Sequence, residues 1–135
     1  MTVPDGYVPY SRTSNYLALI GPVYEAADGT GIGLRIDDRH TNARGFCHAG
    51  LLVALADVVI GHTAQRAAAP GSSLVTASLT TDFISSARSG DWVRGEAAIR
   101  HVGHRLAFGG CEFTVDGRLV LSASGVFAVR FDAGK

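Results

Sequence analysis

Asp57 is the side chain with the clearest capacity for chemistry. It is the one acid in the apolar run from His48 to Ala68, and its neighbours at helical spacing are Val53, Ala54, Ile60 and Gly61. None of these can neutralise or hydrogen-bond a carboxylate. Stripping water from an unpaired charge costs several kcal/mol, a large share of a domain stability of about 5 to 15 kcal/mol. Asp57 must therefore face a partner, a cavity or water. Two readings stand equally open on residue types alone. One is an acid on an exposed stripe, or paired with a distant arginine; the other is a general base that takes a proton from water. For the second, the carboxylate must be ionised when it acts, so desolvation that raises its pKa helps only up to the working pH.

Polar side chains gather just upstream, in Asn42-Ala43-Arg44-Gly45-Phe46-Cys47-His48-Ala49-Gly50. The first turn of a helix has free N–H groups and the positive end of the macrodipole, so it can hold negative charge developing on an oxygen. An oxyanion site is physically available there. The five histidines do not make a metal site: strand alternation aims His101 and His104 to opposite sides, and His40 and His48 lack a third ligand. Cys47 beside His48 reads as a packed thiol rather than a nucleophile, because sequence neighbours seldom align for proton transfer. Cys111, within a strand, needs no special role.

The elements that must position these residues follow from periodicity and turns. Tyr16, Leu17 and Ile20 share one helical face between Thr13 and Gly21-Pro22, which predicts a short helix. Asp28-Gly29 joins strands over Val23–Ala27 and Gly31–Asp37 into a hairpin. One long helix runs from His48 to about Ala68, apolar around nearly its whole circumference, and Pro70-Gly71 closes it. Gly50, Ala54, Gly61 and Ala64 share the Asp57 side and would let a ligand or another surface come close. Strands then span Leu74–Ile84, Trp92–Val102, Arg105–Val115 and Leu119–Phe131, the last three joined by tight turns into an antiparallel meander. In the first of them Val75, Ala77, Leu79 and Phe83 alternate with Thr76, Ser78, Thr80 and Asp82. The whole is an α+β domain over residues 1–135, a long helix wrapped by a curved antiparallel sheet of about six strands.

Twelve basic residues against twelve acidic give no net charge, which disfavours nucleic acid and anionic membranes as partners. Eleven of the cations are arginine, suited to planar contacts with phosphate. The N-terminal residues carry neither the basic start nor the apolar stretch of a secretory signal, and residues 49–60 are too short to span a bilayer. With two cysteines 64 positions apart and no paired spacing, a reducing, cytoplasmic setting is expected.

Together, His40-Thr41-Asn42, Gly45, His48-Ala49-Gly50 and Leu55-Ala56-Asp57 resemble the signature of hotdog-fold acyl-CoA thioesterases. The type is that of the phenylacetate pathway, within the 4-hydroxybenzoyl-CoA thioesterase superfamily. The resemblance extends over nearly the whole chain and implies the hotdog fold. Ala49 departs from it, standing where the family has a glycine, but alanine keeps the backbone N–H that the position supplies.

The resemblance implies Asp57 as general base or nucleophile, the Ala49 N–H as the group that polarises the carbonyl oxygen, and Asn42 as a holder of the carbonyl or the water. His48 would lie near the departing sulfur, and Thr76 would orient water beside the acid. Gly50 would line the substrate site. Ser85, Ser86 and Arg88 on one loop, with His104 and Arg105 at a turn, would meet the nucleotide and phosphates of coenzyme A; solvated turn residues are an equal reading for each alone. No cofactor is implied, since coenzyme A belongs to the substrate. The site would form at a subunit interface, in a homodimer or homotetramer. Two rivals are a non-catalytic acyl-CoA sensor and an acyl-thioester dehydratase; the dehydratase branch carries a proline between its Asn and His, absent between Asn42 and His48.

Overall fold

The computed structural model of the chain describes residues 2–131. Of the domain expected over residues 1–135, Met1 and residues 132–135 lie outside the described residues. In chain order come β1 (Tyr7–Pro9), α1 (Asn15–Ile20), β2 (Tyr24–Ala26), β3 (Ile32–Arg35), a 3-10 turn (Asp38–His40), α2 (Ala49–Ala67), β4 (Ser72–Phe83), β5 (Trp92–Val102), β6 (Leu106–Val115) and β7 (Arg118–Phe131). The seven strands form one antiparallel sheet in the order β1-β2-β3-β5-β6-β7-β4. This is the hotdog architecture, with one strand more than the six expected. The extra strand, β1, is three residues ending in Pro9, and its pairing with β2 is set by the partner strand rather than by any local pattern.

The meander of β5, β6 and β7 closes as expected. Asp116 and Gly117 both take positive φ, 49° and 81°, the geometry of a two-residue hairpin turn whose twist matches its strands. Periodicity could not place β4, which pairs with β7 and not with β5. It therefore lies at the edge of the sheet with one side unpaired.

Helix α2 buries Leu51, Leu52, Leu55, Ala56, Val59, Ile60 and Ala64, a stripe at three- and four-residue spacing. Its close approach has a local cause. Gly109 and Gly125 face each other across β6 and β7, and a side chain on either would meet Ile60, so two bare backbones form the seat for that residue. Apart from Asp57 the helix is apolar all round from Ala49 to Gly61, but its own sheet covers one side only. Val53, Ala54, Asp57, Val58 and Gly61 are half-buried.

Strand β4 carries a β-bulge between Thr76 and Ser78. Thr76 lies opposite Phe127 and Leu79 opposite Gly125, two residues of β7 that share the helix-facing side. The extra residue, Ala77, thus places a hydroxyl and an aliphatic side chain three positions apart on the same face.

Candidate active site

Asp57 and Thr76 meet. The Thr76 hydroxyl donates to Oδ1 of Asp57 at 2.5 Å, a short hydrogen bond of the charge-assisted kind. The acid is half-buried and the threonine exposed. None of the ion pairs among the described residues involves Asp57. Within the first of the two readings, pairing with a distant arginine is therefore not seen among the described residues. The second carboxylate oxygen bonds to none of the described residues.

At the start of α2 the free N–H groups are sorted by His48. Its ring nitrogen Nδ1 accepts from the Gly50 N–H at 2.9 Å, and its carbonyl accepts from the Leu51 N–H at 3.1 Å. The Ala49 N–H donates to none of the described residues. Ala49 is the first residue of the helix, so the departure from glycine leaves the donor in place with helical geometry. His48, Ala49 and Gly50 are all exposed.

The loop before α2 is braced from within. Asn42 Oδ1 accepts from the N–H groups of Arg44 and Phe46 at 2.9 and 3.2 Å, so its carbonyl end holds the loop and only its amide end is left for a ligand. Buried His40 accepts from the Asp37 N–H at Nδ1 (3.0 Å), and its Nε2 lies 2.6 Å from the Ile20 carbonyl. Its own carbonyl takes the His48 N–H at 2.8 Å. His40 thereby clamps the end of α1 to the start of α2, a structural role.

One chain does not bring all the expected residues together. Ala49 and Asp57 are eight positions apart on α2, about 12 Å along its axis at 1.5 Å per residue. Arg88 lies over Phe46 at 4.9 Å, near the start of α2. His104 and Arg105 sit at the far end of the sheet, where the Arg105 carbonyl accepts from the Val129 N–H at 2.8 Å. Thr76 belongs to that second group through its place opposite Phe127. The expected residues thus fall into two candidate half-sites, one with Asn42, His48, Ala49, Gly50 and Arg88, the other with Asp57, Thr76, His104 and Arg105.

Known proteins give the fold its relatives. A family model described as the thioesterase superfamily matches residues 44–122, which covers the start of α2, Asp57 and Thr76. The chain belongs to the thioesterase superfamily. A Pseudomonas aeruginosa protein, PA0474, named as a candidate esterase, is 40% identical over 130 residues, covering 94% of this chain and 97% of that one. Among solved structures, BH2602 from Bacillus halodurans, determined with CoA, aligns with a TM-score of 0.79 at 24% identity, over 87% of this chain and 78% of that one. The E. coli PaaI protein from the phenylacetic acid degradation operon aligns with a TM-score of 0.67 at 22% identity, over 72% of this chain and 69% of that one.

The surface around these candidate residues depends on contacts that spacing did not reveal. Arg118 donates to Ser85 Oγ at 2.6 Å and to the Ser86 carbonyl at 2.9 Å, while Ser85 itself donates to the Leu119 carbonyl at 2.6 Å. Both serines brace the loop that carries Arg88, and their partner lies more than thirty positions away, where no local signal could find it. Phe46, with Arg44 and Arg88 over its ring, was likewise invisible. Among the described residues no group of histidine, cysteine and acid could hold a metal ion. A groove of about 1000 Å³ runs past Arg35, Trp92, Arg94, Glu96, Arg100 and Glu112, on the sheet face away from α2, and holds none of the candidate residues.

Proposed function

We propose that the chain is an acyl-CoA thioesterase, hydrolysing an acyl- or aryl-coenzyme A to the free acid and CoA in a homodimer that completes each site. The observation that carries this is the Asp57 carboxylate, held by the Thr76 hydroxyl at 2.5 Å on the uncovered side of an otherwise apolar helix. A carboxylate so held keeps one oxygen free to take a proton from water. As that water attacks, charge passes to the carbonyl oxygen, where the free Ala49 N–H is the available donor. The C–S bond then breaks with its electron pair on sulfur, and the proton taken by Asp57 is returned to the thiolate.

Two features support a second copy of the chain as the partner. The half-sites lie too far apart to act within one chain. Strand β4 also presents an unpaired edge twelve residues long, with Val75 and Phe83 on it at 47% and 49% exposure and Ile84 just beyond it at 55%, and such edges are normally covered. Two β4 edges paired antiparallel would run the two α2 helices in opposite senses, start of one toward middle of the other. The CoA present in the Bacillus halodurans relative supports coenzyme A as the carrier.

The test is thiol release across acyl-CoA chain lengths and aryl-CoAs. Wild type is expected to release thiol from at least one class, and Asp57→Asn to lose about 10²- to 10⁴-fold in turnover while still binding the substrate. Undiminished hydrolysis by that variant removes Asp57 from the mechanism.

A further inference from the structure

We infer that Gly61 sets the depth of the acyl pocket. The acyl group runs from the thioester past Asp57 toward the C-terminal half of α2, lies on the bare backbone of Gly61 and is bounded there by the ring of Phe127. This rests on the thioester reading above and names the class of acyl group that reading leaves open, one extending well beyond an acetyl unit.

Gly61 is out of place by the rules of helices. It lies inside α2 and its φ is not among the positive ones, so its backbone does not call for glycine. Glycine is a poor helix former, and alanine the best. A Cβ at position 61 would meet only the Phe127 ring, 3.4 Å from Cε2 and 3.9 Å from Cζ, which is ordinary van der Waals contact. Gly109 and Gly125 differ in kind. A Cβ on them would come within 2.8 Å of Ile99 Cδ1 and 3.0 Å of Phe127 Cε1 respectively, so the chain's own packing keeps them bare. Nothing among the described residues asks the same of Gly61. What its missing side chain makes room for lies outside the chain.

Its position says what that is. Asp57 and Gly61 are four residues apart on one face of the helix, about 6 Å along its axis, and both are half-buried. On the sheet, Thr76 and Phe127 stand opposite each other on β4 and β7. Thr76 bonds to Asp57 at 2.5 Å, and the Phe127 ring lies beside Gly61. Two cross-strand neighbours thus meet two successive turns of α2, with a polar contact at the acid and an apolar one beyond it. Leu79 continues the apolar side, since its Cδ1, like the ring, lies over bare Gly125. A thioester carbonyl placed for attack beside Asp57 has its acyl group next to this surface. A chain or ring laid on bare backbone against an aromatic side chain is taken out of water there.

The test compares hexanoyl-CoA with acetyl-CoA, in wild type and in Gly61→Ala. We expect wild type to prefer hexanoyl-CoA in kcat/KM. Gly61→Ala should cut that preference about 10- to 100-fold, losing hexanoyl turnover and keeping acetyl turnover, since one methyl group in an apolar pocket discriminates on that scale. The same variant should melt no lower than wild type, because alanine favours the helix, and should keep its native mass by light scattering. A wild type that prefers acetyl-CoA, or equal losses on both thioesters in Gly61→Ala, overturns the pocket. A variant that melts lower assigns the gap to packing within the chain, and one that loses native mass assigns it to a second copy; either overturns the proposal. Absence of thiol release from every acyl-CoA sinks the thioester reading and the pocket with it, whereas release with an unchanged ratio in Gly61→Ala overturns the pocket alone.

Discussion

At Ala49 the backbone can be tested without touching a functional side chain. Proline is at home in the first position of a helix, where it removes only the N–H. His48 already has φ −63° and ψ 131°, the conformation a residue before proline adopts. Ala49→Pro is therefore expected to fold normally, by thermal unfolding, and to lower thiol release about 10²- to 10³-fold. Thr76→Ala removes one hydrogen bond to a carboxylate, worth about 1.5 kcal/mol or more, and is expected to slow turnover at least roughly 10-fold in the same assay. Burial pushes the thiols of Cys47 and Cys111 up to about 11 and about 12, so both are protonated at neutral pH. A thiol reagent should modify neither cysteine in the folded chain and both after denaturation; fast native labelling of Cys47 would contradict the packed-thiol reading. Asp57 was legible because its charge conflicts with every residue type around it. That the Ala49 N–H is free and the Gly50 N–H taken depends on the rotamer of His48, which no spacing encodes.

Helix α2 also carries His62, whose Nδ1 lies 3.1 Å from the Tyr10 hydroxyl and whose Nε2 is 3.8 Å from Glu25. Burial lowers the His62 pKa below its usual 6.5, against the opposing pull of Glu25 and with Arg66 and Arg12 adding to the drop. The folded chain thus keeps this ring neutral at pH values where the unfolded chain protonates it. The stability that results is whole above about pH 6.5 and is lost as pH falls from there toward the folded pKa. Melting temperature should be flat above neutrality and decline below it, and His62→Gln should flatten the decline; an unchanged slope would place the proton uptake elsewhere. Strands and the long helix were legible as elements, because turn residues and periodicity mark them directly. Their neighbours were not. Tyr7–Pro9 is too short to carry a pattern, and the position of β4 beside β7 follows from packing over α2.

For the molecule as a whole, a divided site makes a sharp demand on mixtures. If each site takes Asp57 from one copy and Ala49 from another, then equal amounts of Asp57→Asn and Ala49→Pro chains, unfolded and refolded together, form heterodimers in half the population. Each heterodimer has one site with both lesions and one with neither, so the mixture should recover about a quarter of wild-type thiol release, while either variant refolded alone stays near background. No recovery would mean that the residues act within one chain. From composition and periodicity the sequence reached only a helix-covered sheet; subunit sharing came from family resemblance, since no spacing within one chain records a second copy. What the chain itself offers in support of that reading is an apolar helix face that its own sheet does not cover.

The odd residue in β4 bears on how such proteins are compared. Strict alternation cannot set Thr76 and Leu79 on one side of a strand; the insertion at Ala77 does so by shifting the phase between the two halves. A relative built without it would need its hydroxyl one place closer to the following aliphatic residue to reach the same acid. Equivalence across this strand is therefore a matter of which side chain touches the carboxylate, and a column-by-column alignment that opens no gap there will match the wrong residue.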